Sequence, residues 1–141
     1  MPTLSIIFYF LVYSFLGWIM DTTCRTLEAH AFTIGSFFPV PLCPVYGFGV
    51  LLVIFLHSLF PSIPLVLQGV IYGIVLAALE YATGILVLAY FHRRLWTYAG
   101  GFLNLDGFTN FSHALTWGVL AVLLVEYLQP ALEHLFKLNL G

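Results

Sequence analysis

Four apolar blocks, separated by polar or proline-containing segments, dominate the pattern of this chain. They cover approximately residues 4–20, 45–60, 63–91 and 111–128. A helix needs roughly 20 apolar residues to cross the hydrocarbon layer. The first and fourth blocks have a suitable length, the second is short, and the third is long enough to tilt or project. No alternating pattern of the kind found in membrane barrels is visible. The pattern predicts an all-α integral membrane protein, with four transmembrane helices forming a single domain over residues 1–141.

Charge is nearly absent from the middle of the chain. The 51 residues between Glu28 and Glu80 include no Asp, Glu, Lys or Arg, whereas a water-soluble domain would need charge on at least one face. The whole chain is 62% hydrophobic and 7% charged, with a mean hydropathy of +1.05. This composition is typical of a multi-pass membrane protein whose main partner is the lipid bilayer. It gives no support to nucleic-acid binding.

The two long connectors, 21–44 and 92–110, lie on one side of the predicted membrane, and both termini lie on the other. Basic residues are concentrated on the connector side, where three of the four occur: Arg25, Arg93 and Arg94, against Lys137 on the terminal side. The positive-inside rule therefore predicts cytoplasmic connectors. Their density of aromatic residues favours segments that lie in the headgroup layer or re-enter the bundle.

The third block carries small residues at helical spacing. Gly69, Gly73 and Ala77 recur every four residues, and Glu80 and Gly84 fall within the same arc of about 80°. Small residues let another helix approach closely in lipid. An acidic side chain at mid-membrane costs roughly 2.5–3.5 kcal/mol on insertion scales. We therefore expect these small residues to form a packing seam, with the carboxyl of Glu80 pointing into the bundle.

The partners of Glu80 are predicted from depth. Asp21 and Arg25 are one helical turn apart, so Arg25 is expected to pair with Glu80 or with Asp21. Tyr46 and His113 begin helices at a similar level. The second connector adds a polar patch that includes an aspartate. The predicted polar cluster is therefore an acid and the polar residues around its level: Glu80, Asp21, Arg25, Tyr46, Asp106 and His113.

Two functional interpretations of this cluster remain open. Glu80 is either a group that binds a proton or a transported substrate, or a structural group that only locks helices together. The first predicts a permease-like subunit, and the second predicts a membrane scaffold or accessory protein. A single four-helix bundle of this size has little room for a water-filled path, and this favours assembly into a homo-oligomer.

Enzymatic motifs are missing from the sequence. It contains no Gly-x-x-x-x-Gly-Lys-Ser/Thr phosphate loop, no His-Glu-x-x-His and no Gly-x-Ser-x-Gly. We therefore expect no catalytic residue, no cofactor and no metal site. If ATP drives the protein, a separate ATPase subunit must dock on the connectors.

Several short motifs resemble a known family. They occur in a fixed order along the chain: Gly17-Trp18-x-x-Asp21, Pro41-Leu42-Cys43-Pro44-Val45-Tyr46-Gly47-Phe48-Gly49, Leu79-Glu80-Tyr81-x-Thr83-Gly84, Trp96-x-Tyr98, Asn104-Leu105-Asp106-Gly107 and Trp117-Gly118. Together they resemble the bacterial family described as "Putative ABC-transporter type IV", over residues 17–118. The resemblance implies a multi-pass protein of the bacterial inner membrane, from a family named after permeases, and it leaves the biochemistry undetermined.

Some positions depart from the family pattern. Asp21 stands where the family usually has Glu, Thr97 where it has Asp, and Asp106 where Asn is common. The departure at Thr97 weakens the idea that an acid is essential there. The resemblance assigns no catalytic residue to this chain.

Overall fold

A computed structural model describes residues 3–30, 41–98 and 100–140, with side chains described as far as residue 137. The described part is all-helical, at 78% helix, and contains no strand. The five α-helices are α1 (Thr3–Ala29), α2 (Pro44–Leu59), α3 (Leu65–Phe91), α4 (Phe111–Leu123) and α5 (Gln129–Leu140). A π-helical turn, Leu124–Leu128, joins α4 to α5. The all-helical prediction is confirmed.

Among the described residues, three helices are long and apolar enough to cross a membrane: Thr3–Ala29, Leu65–Phe91 and the continuous segment Phe111–Lys137. Each has 27 residues, or about 40 Å at 1.5 Å per residue. The fourth apolar helix, α2, has only 16 residues. The sequence predicted four transmembrane helices, whereas the described residues contain three helices of spanning length and one shorter apolar helix.

Two helices are longer than the apolar blocks suggested. α1 continues nine residues beyond position 20, since an ion pair one turn apart, between Asp21 and Arg25, supports the added turns. The last helix passes Pro130, which lacks an N–H and whose ring would clash with the preceding turn. The wider π-type turn before it, where the N–H of Gln129 donates to the carbonyl of Leu124, absorbs this disruption.

The chain forms two compact units, Met1–Leu52 and Val53–Gly141. In the first, α1 meets the start of α2 at glycines. A Cβ atom on Gly17 would collide with the ring of Tyr46, and one on Gly47 would collide with Ser14. The N–H of Cys43 also donates to the carbonyl of Ser14, at 3.0 Å. Residues 31–40, which include the predicted aromatic segment of the first connector, lie outside the described residues.

In the second unit, α3 and α4 are packed as an antiparallel pair at very short range. A Cβ atom on Gly118 would collide with the carbonyl of Gly69, and one on Gly73 would lie 2.6 Å from the carbonyl of Ala114. Beyond this crossing, Val53, Tyr72, Ala121 and Val125 form a buried core. Glycine backbones thus replace side chains as the contact surface, which is the usual way for helices to approach closely in lipid.

Candidate functional site

Glu80 lies on the buried side of α3, about 16 Å before the end of the helix at Phe91. The residue is only 8% exposed. It shares the buried face with two of the glycines of the predicted seam, Gly73 and Gly84. Because an acid in such surroundings loses the solvation of bulk water, its local partners decide how its charge is tolerated.

Two neutral donors hold the carboxyl group of Glu80. The indole Nε1–H of Trp117, on α4, donates to Oε2 at 2.5 Å. The hydroxyl of Tyr98, on the α3–α4 loop (residues 92–110), hydrogen-bonds the same carboxyl group. The other oxygen, Oε1, is buried and has no hydrogen-bond partner among the described residues.

His113 and Asn110 hold Tyr98 in place from the start of α4. The rings of Tyr98 and His113 are stacked, with centroids 3.7 Å apart and planes at 14°. Asn110 caps α4 by accepting the N–H of His113 at 2.9 Å, and the same Oδ1 lies 2.8 Å from His113 Nδ1. Because Asn110 Oδ1 is an acceptor for the backbone N–H, the ring nitrogen Nδ1 must be the donor in the second bond. In this arrangement Nδ1 of His113 carries a proton.

The polar side chains of the α3–α4 loop fold it into a compact structure. Asn104 donates to the carbonyls of Tyr98 and Gly100 and accepts the N–H of Gly107. The N–H of Tyr98 in turn donates to the carbonyl of Gly107, at 2.8 Å. Gly107 has φ +75°, a conformation that side-chain-bearing residues rarely adopt. The bonds of one asparagine therefore set the position of Tyr98.

Phe108 and Asp106 attach this loop to α3, and Arg94 contacts both of them from within the loop. The guanidinium of Arg94 lies 4.1 Å from the centre of the Phe108 ring and also donates to the carbonyl of Asp106. The Phe108 ring is buried and occupies the space beside Gly84, where a Cβ atom would collide with it. The hydroxyl of Tyr81 donates to the carboxylate of Asp106 at 3.1 Å. The loop thus lies along α3 at and beyond the level of Glu80.

The members of the predicted polar cluster fall into both units. Asp21, Arg25 and Tyr46 belong to the first unit. There Arg25 Nε donates to Asp21 Oδ2 at 2.9 Å, one of the two pairings predicted for it, and Tyr46 packs on Gly17. Three belong to the second unit: Glu80, Asp106 and His113. His113 interacts electrostatically with Glu80. Asp106 instead contacts Tyr81, the residue that follows Glu80 on α3.

The members of the predicted glycine seam have different neighbours. Gly73 faces α4, and Gly69 lies opposite Gly118 of that helix. Gly84 faces Phe108 of the loop. Ala77 is half-buried between them. The role of these residues in holding the molecule together stays a prediction.

Sequence reasoning missed both hydrogen-bond donors to Glu80. Trp117 follows His113 by four residues and so shares its helix face. This spacing, together with the need of a buried acid for hydrogen-bond donors, could have predicted Trp117 as a donor to Glu80. Tyr98 offered no such signal, because its position depends on the folded loop. Within the part of the chain that is described, no group of three His, Cys, Asp or Glu side chains lies close enough to hold a metal ion.

Comparison with known families identifies the chain. The model of one family, described as "Putative ABC-transporter type IV", matches residues 8–140. The protein belongs to this family. No curated protein and no solved structure matches it. The family assignment and the three long apolar helices together indicate a membrane protein connected with transport. The resemblance noted from the short motifs is confirmed.

Proposed function

We propose that the chain is a permease-like subunit of the bacterial inner membrane, with Glu80 as its intramembrane transport group. One observation carries this proposal. Glu80 is a buried acid on a long apolar helix, with the indole of Trp117 on one oxygen and no partner among the described residues on the other. An ionisable residue kept inside a membrane helix despite its cost is characteristic of transport pathways.

The absence of a described ion pair to Glu80 supports a transport role over a purely structural one. Among the described residues, the salt bridge found is that between Arg25 and Asp21. An acid that serves only stability has the lowest free-energy cost of burial when a cation neutralises it, as Arg25 neutralises Asp21. Within the described part of the chain, one oxygen of Glu80 has no partner, and the binding of a transported ion or of a donor group on a substrate requires such an oxygen.

The energy source would be a separate ATPase subunit. The sequence has no phosphate-binding loop of its own, and the family description refers to ABC transporters. We propose that the ATPase binds on the cytoplasmic side, at the connectors. The exposed apolar side chains of the α3–α4 loop offer contact area there, namely Phe102, Leu103 and Leu105.

Affinity purification tests this assignment. The tagged full-length protein is extracted from its native membranes in mild detergent, and the co-purifying proteins are identified by mass spectrometry. We expect an ATPase with a phosphate-binding loop in stoichiometric amount, and its recovery should fall when Phe102 and Leu103 are both changed to Ser. Recovery of the protein alone or only as a homo-oligomer, under conditions that preserve other membrane complexes, would contradict the ATP-driven role.

A scaffold function is the second candidate, and one specific observation favours it. Trp117 and Tyr98 come from two different elements and meet at the same carboxyl group, so Glu80 also joins α3, α4 and the loop. In that case the acid would serve stability alone. Replacing Glu80 by Gln distinguishes the two candidates, because it keeps an acceptor for Trp117 and removes the ionisable group.

A further inference from the structure

The two oxygens of Glu80 have different chemical roles. An indole N–H can only donate, so Oε2, which accepts from Trp117, must remain an acceptor whether the carboxyl is ionised or protonated. Oε1 is buried and has no partner among the described residues. A proton on this carboxyl group therefore resides on Oε1.

Among the described residues of the second unit, the groups that act on this carboxyl come from α4 and the loop. From α4 these are Trp117 and His113, and from the loop it is Tyr98. On α3, the neighbouring Tyr81 donates to Asp106 of the loop instead. Other titratable groups of this unit have other contacts: His57 bonds the hydroxyl of Tyr72, the exposed Glu126 interacts electrostatically with Tyr72, and Arg94 contacts Thr97, Asp106 and Phe108 of its own loop.

We propose that Oε1 of Glu80 binds and releases a proton, and that the α3–α4 loop responds to this change. Hydrogen bonds to an ionised acceptor are roughly twice as strong as neutral ones. Protonation of Oε1 therefore weakens the bonds from Tyr98 and Trp117 without removing them. This inference rests on the proposed function, since it names the transported or coupling ion as a proton.

The effect reaches the loop through Tyr98. Its ring is stacked on His113, its N–H donates to Gly107, and its carbonyl accepts from Asn104. Weakening of the hydrogen bond at its hydroxyl therefore loosens the residue around which the loop is built. In the ionised state the loop is held closely on α3 and α4. In the protonated state it opens more often.

Infrared spectroscopy tests the proton site. Difference spectra of the purified full-length protein are recorded as the pH is varied, and the C=O stretching band of protonated carboxyl groups is followed. We expect one titrating band that is absent in Glu80→Gln and retained in Glu126→Gln, the exposed control. In Glu80→Asp the band should persist at a shifted frequency. A spectrum of Glu80→Gln identical to the wild type at every pH would overturn the proposal.

Two tyrosine variants test the coupling. At fixed pH, Tyr98→Phe should contain a larger protonated fraction than the wild type, because the ionised form has lost a donor. Tyr81→Phe loses an equivalent hydroxyl one residue from Glu80 but should leave the band unchanged, since its bond is to Asp106. Equal effects of the two substitutions would overturn the coupling.

Hydrogen exchange measures the response of the loop itself. At one pH, Glu80→Gln imitates the protonated state, and we expect the amides of Tyr98, Leu105 and Phe111 to exchange at least about threefold faster than in the wild type. Amides of α1 serve as the internal reference. Unchanged loop exchange would contradict the response of the loop. Neither measurement needs an ATPase or a substrate, so a failure of the transport assignment would leave a titrating band at Glu80 in place.

Discussion

Asp21 in the first unit and Glu80 in the second are both acids on apolar helices, and the two are stabilised in different ways. Asp21 is paired with a cation of its own helix, Arg25, and the two side chains keep 22% and 31% of their surface exposed. Glu80 is more deeply buried and is held by neutral donors from α4 and the loop. A pair within one helix needs only local order, whereas Glu80 needs the whole loop to be folded. We infer that Asp21 stabilises a helix end and that Glu80 is the functional acid.

The largest effect is expected where α3 and α4 cross, because that contact brings Trp117 to Glu80. Gly118→Ala places a Cβ atom against the carbonyl of Gly69, and the backbone must move to relieve the collision. We expect a loss of about 3 kcal/mol in the free energy of unfolding, at the upper end for overpacking.

The matched control for this crossing is Gly69→Ala. A Cβ atom there would lie 3.6 Å from Val122 Cγ2, an ordinary contact. Its effect should stay below about 0.5 kcal/mol. Denaturant titration of the detergent-solubilised variants measures both values, and equal stability of the two proteins would show that the helices cross elsewhere.

Trp117→Phe should have the next largest effect, because it leaves a buried carboxyl without its indole donor. We expect a loss of about 1.5–3 kcal/mol, the range for hydrogen bonds to charged groups. The control is Trp18→Phe in the first unit. The Trp18 Nε1–H is buried without a partner among the described residues, so its removal should cost little. Thermal unfolding of both variants gives the comparison, and a larger loss at Trp18 would be inconsistent with this account.

Asn104→Ala should have a smaller effect that is confined to the loop. The variant loses two donor bonds and one acceptor bond, and part of this loss is recovered by water at the exposed side. We expect faster proteolysis between α3 and α4 and a stability loss of about 1 kcal/mol. Asn104→Asp keeps the acceptor for the N–H of Gly107, so its stability and protease resistance should lie between those of the wild type and Asn104→Ala. Protease sensitivity of Asn104→Ala equal to that of the wild type would mean that this residue does not order the loop.

Asp21→Asn should have the smallest effect on stability, because partly exposed ion pairs contribute less than about 1 kcal/mol. A thiol in the same unit reports the loss of charge. Burial, together with the charge of Asp21, raises the pKa of Cys43 to about 11, and Arg25 opposes this shift.

Removal of the Asp21 charge should therefore lower the pKa of Cys43 and increase its thiolate fraction at a given pH, by less than about tenfold. In a Cys24→Ser background, where Cys43 is the remaining thiol, the rate of maleimide labelling measures this change. Slower labelling in Asp21→Asn would show that the charge of Asp21 does not reach Cys43.

The sequence was sufficient for the features that depend on local spacing. The apolar blocks predicted the helices. The spacing of four residues between Asp21 and Arg25 indicated their ion pair, one of the two pairings predicted for Arg25. The short motifs predicted the family. Helix ends were less predictable, because charged residues beyond position 20 and the π-helical turn before Pro130 extend helices past their apolar blocks.

The environment of Glu80 could not be derived from the sequence in the same way. The bond from Tyr98 depends on a loop held together by Asn104, Gly107 and Arg94, and contacts between residues so far apart leave no periodic signal. Trp117 was closer to prediction, since it shares a helix face with His113. A search for donor side chains around the buried acid would have found it.

One variant tests the central claim, that Glu80 is functional and not merely structural. ATP hydrolysis by the purified complex and the melting temperature are measured on the same preparations of the wild type, Glu80→Gln and Glu126→Gln. We predict that Glu80→Gln loses transport-coupled hydrolysis and melts within about 3 °C of the wild type, since the amide still accepts from Trp117. Glu126→Gln should retain both properties. Full activity in Glu80→Gln, or a large fall in its melting temperature, would contradict the account.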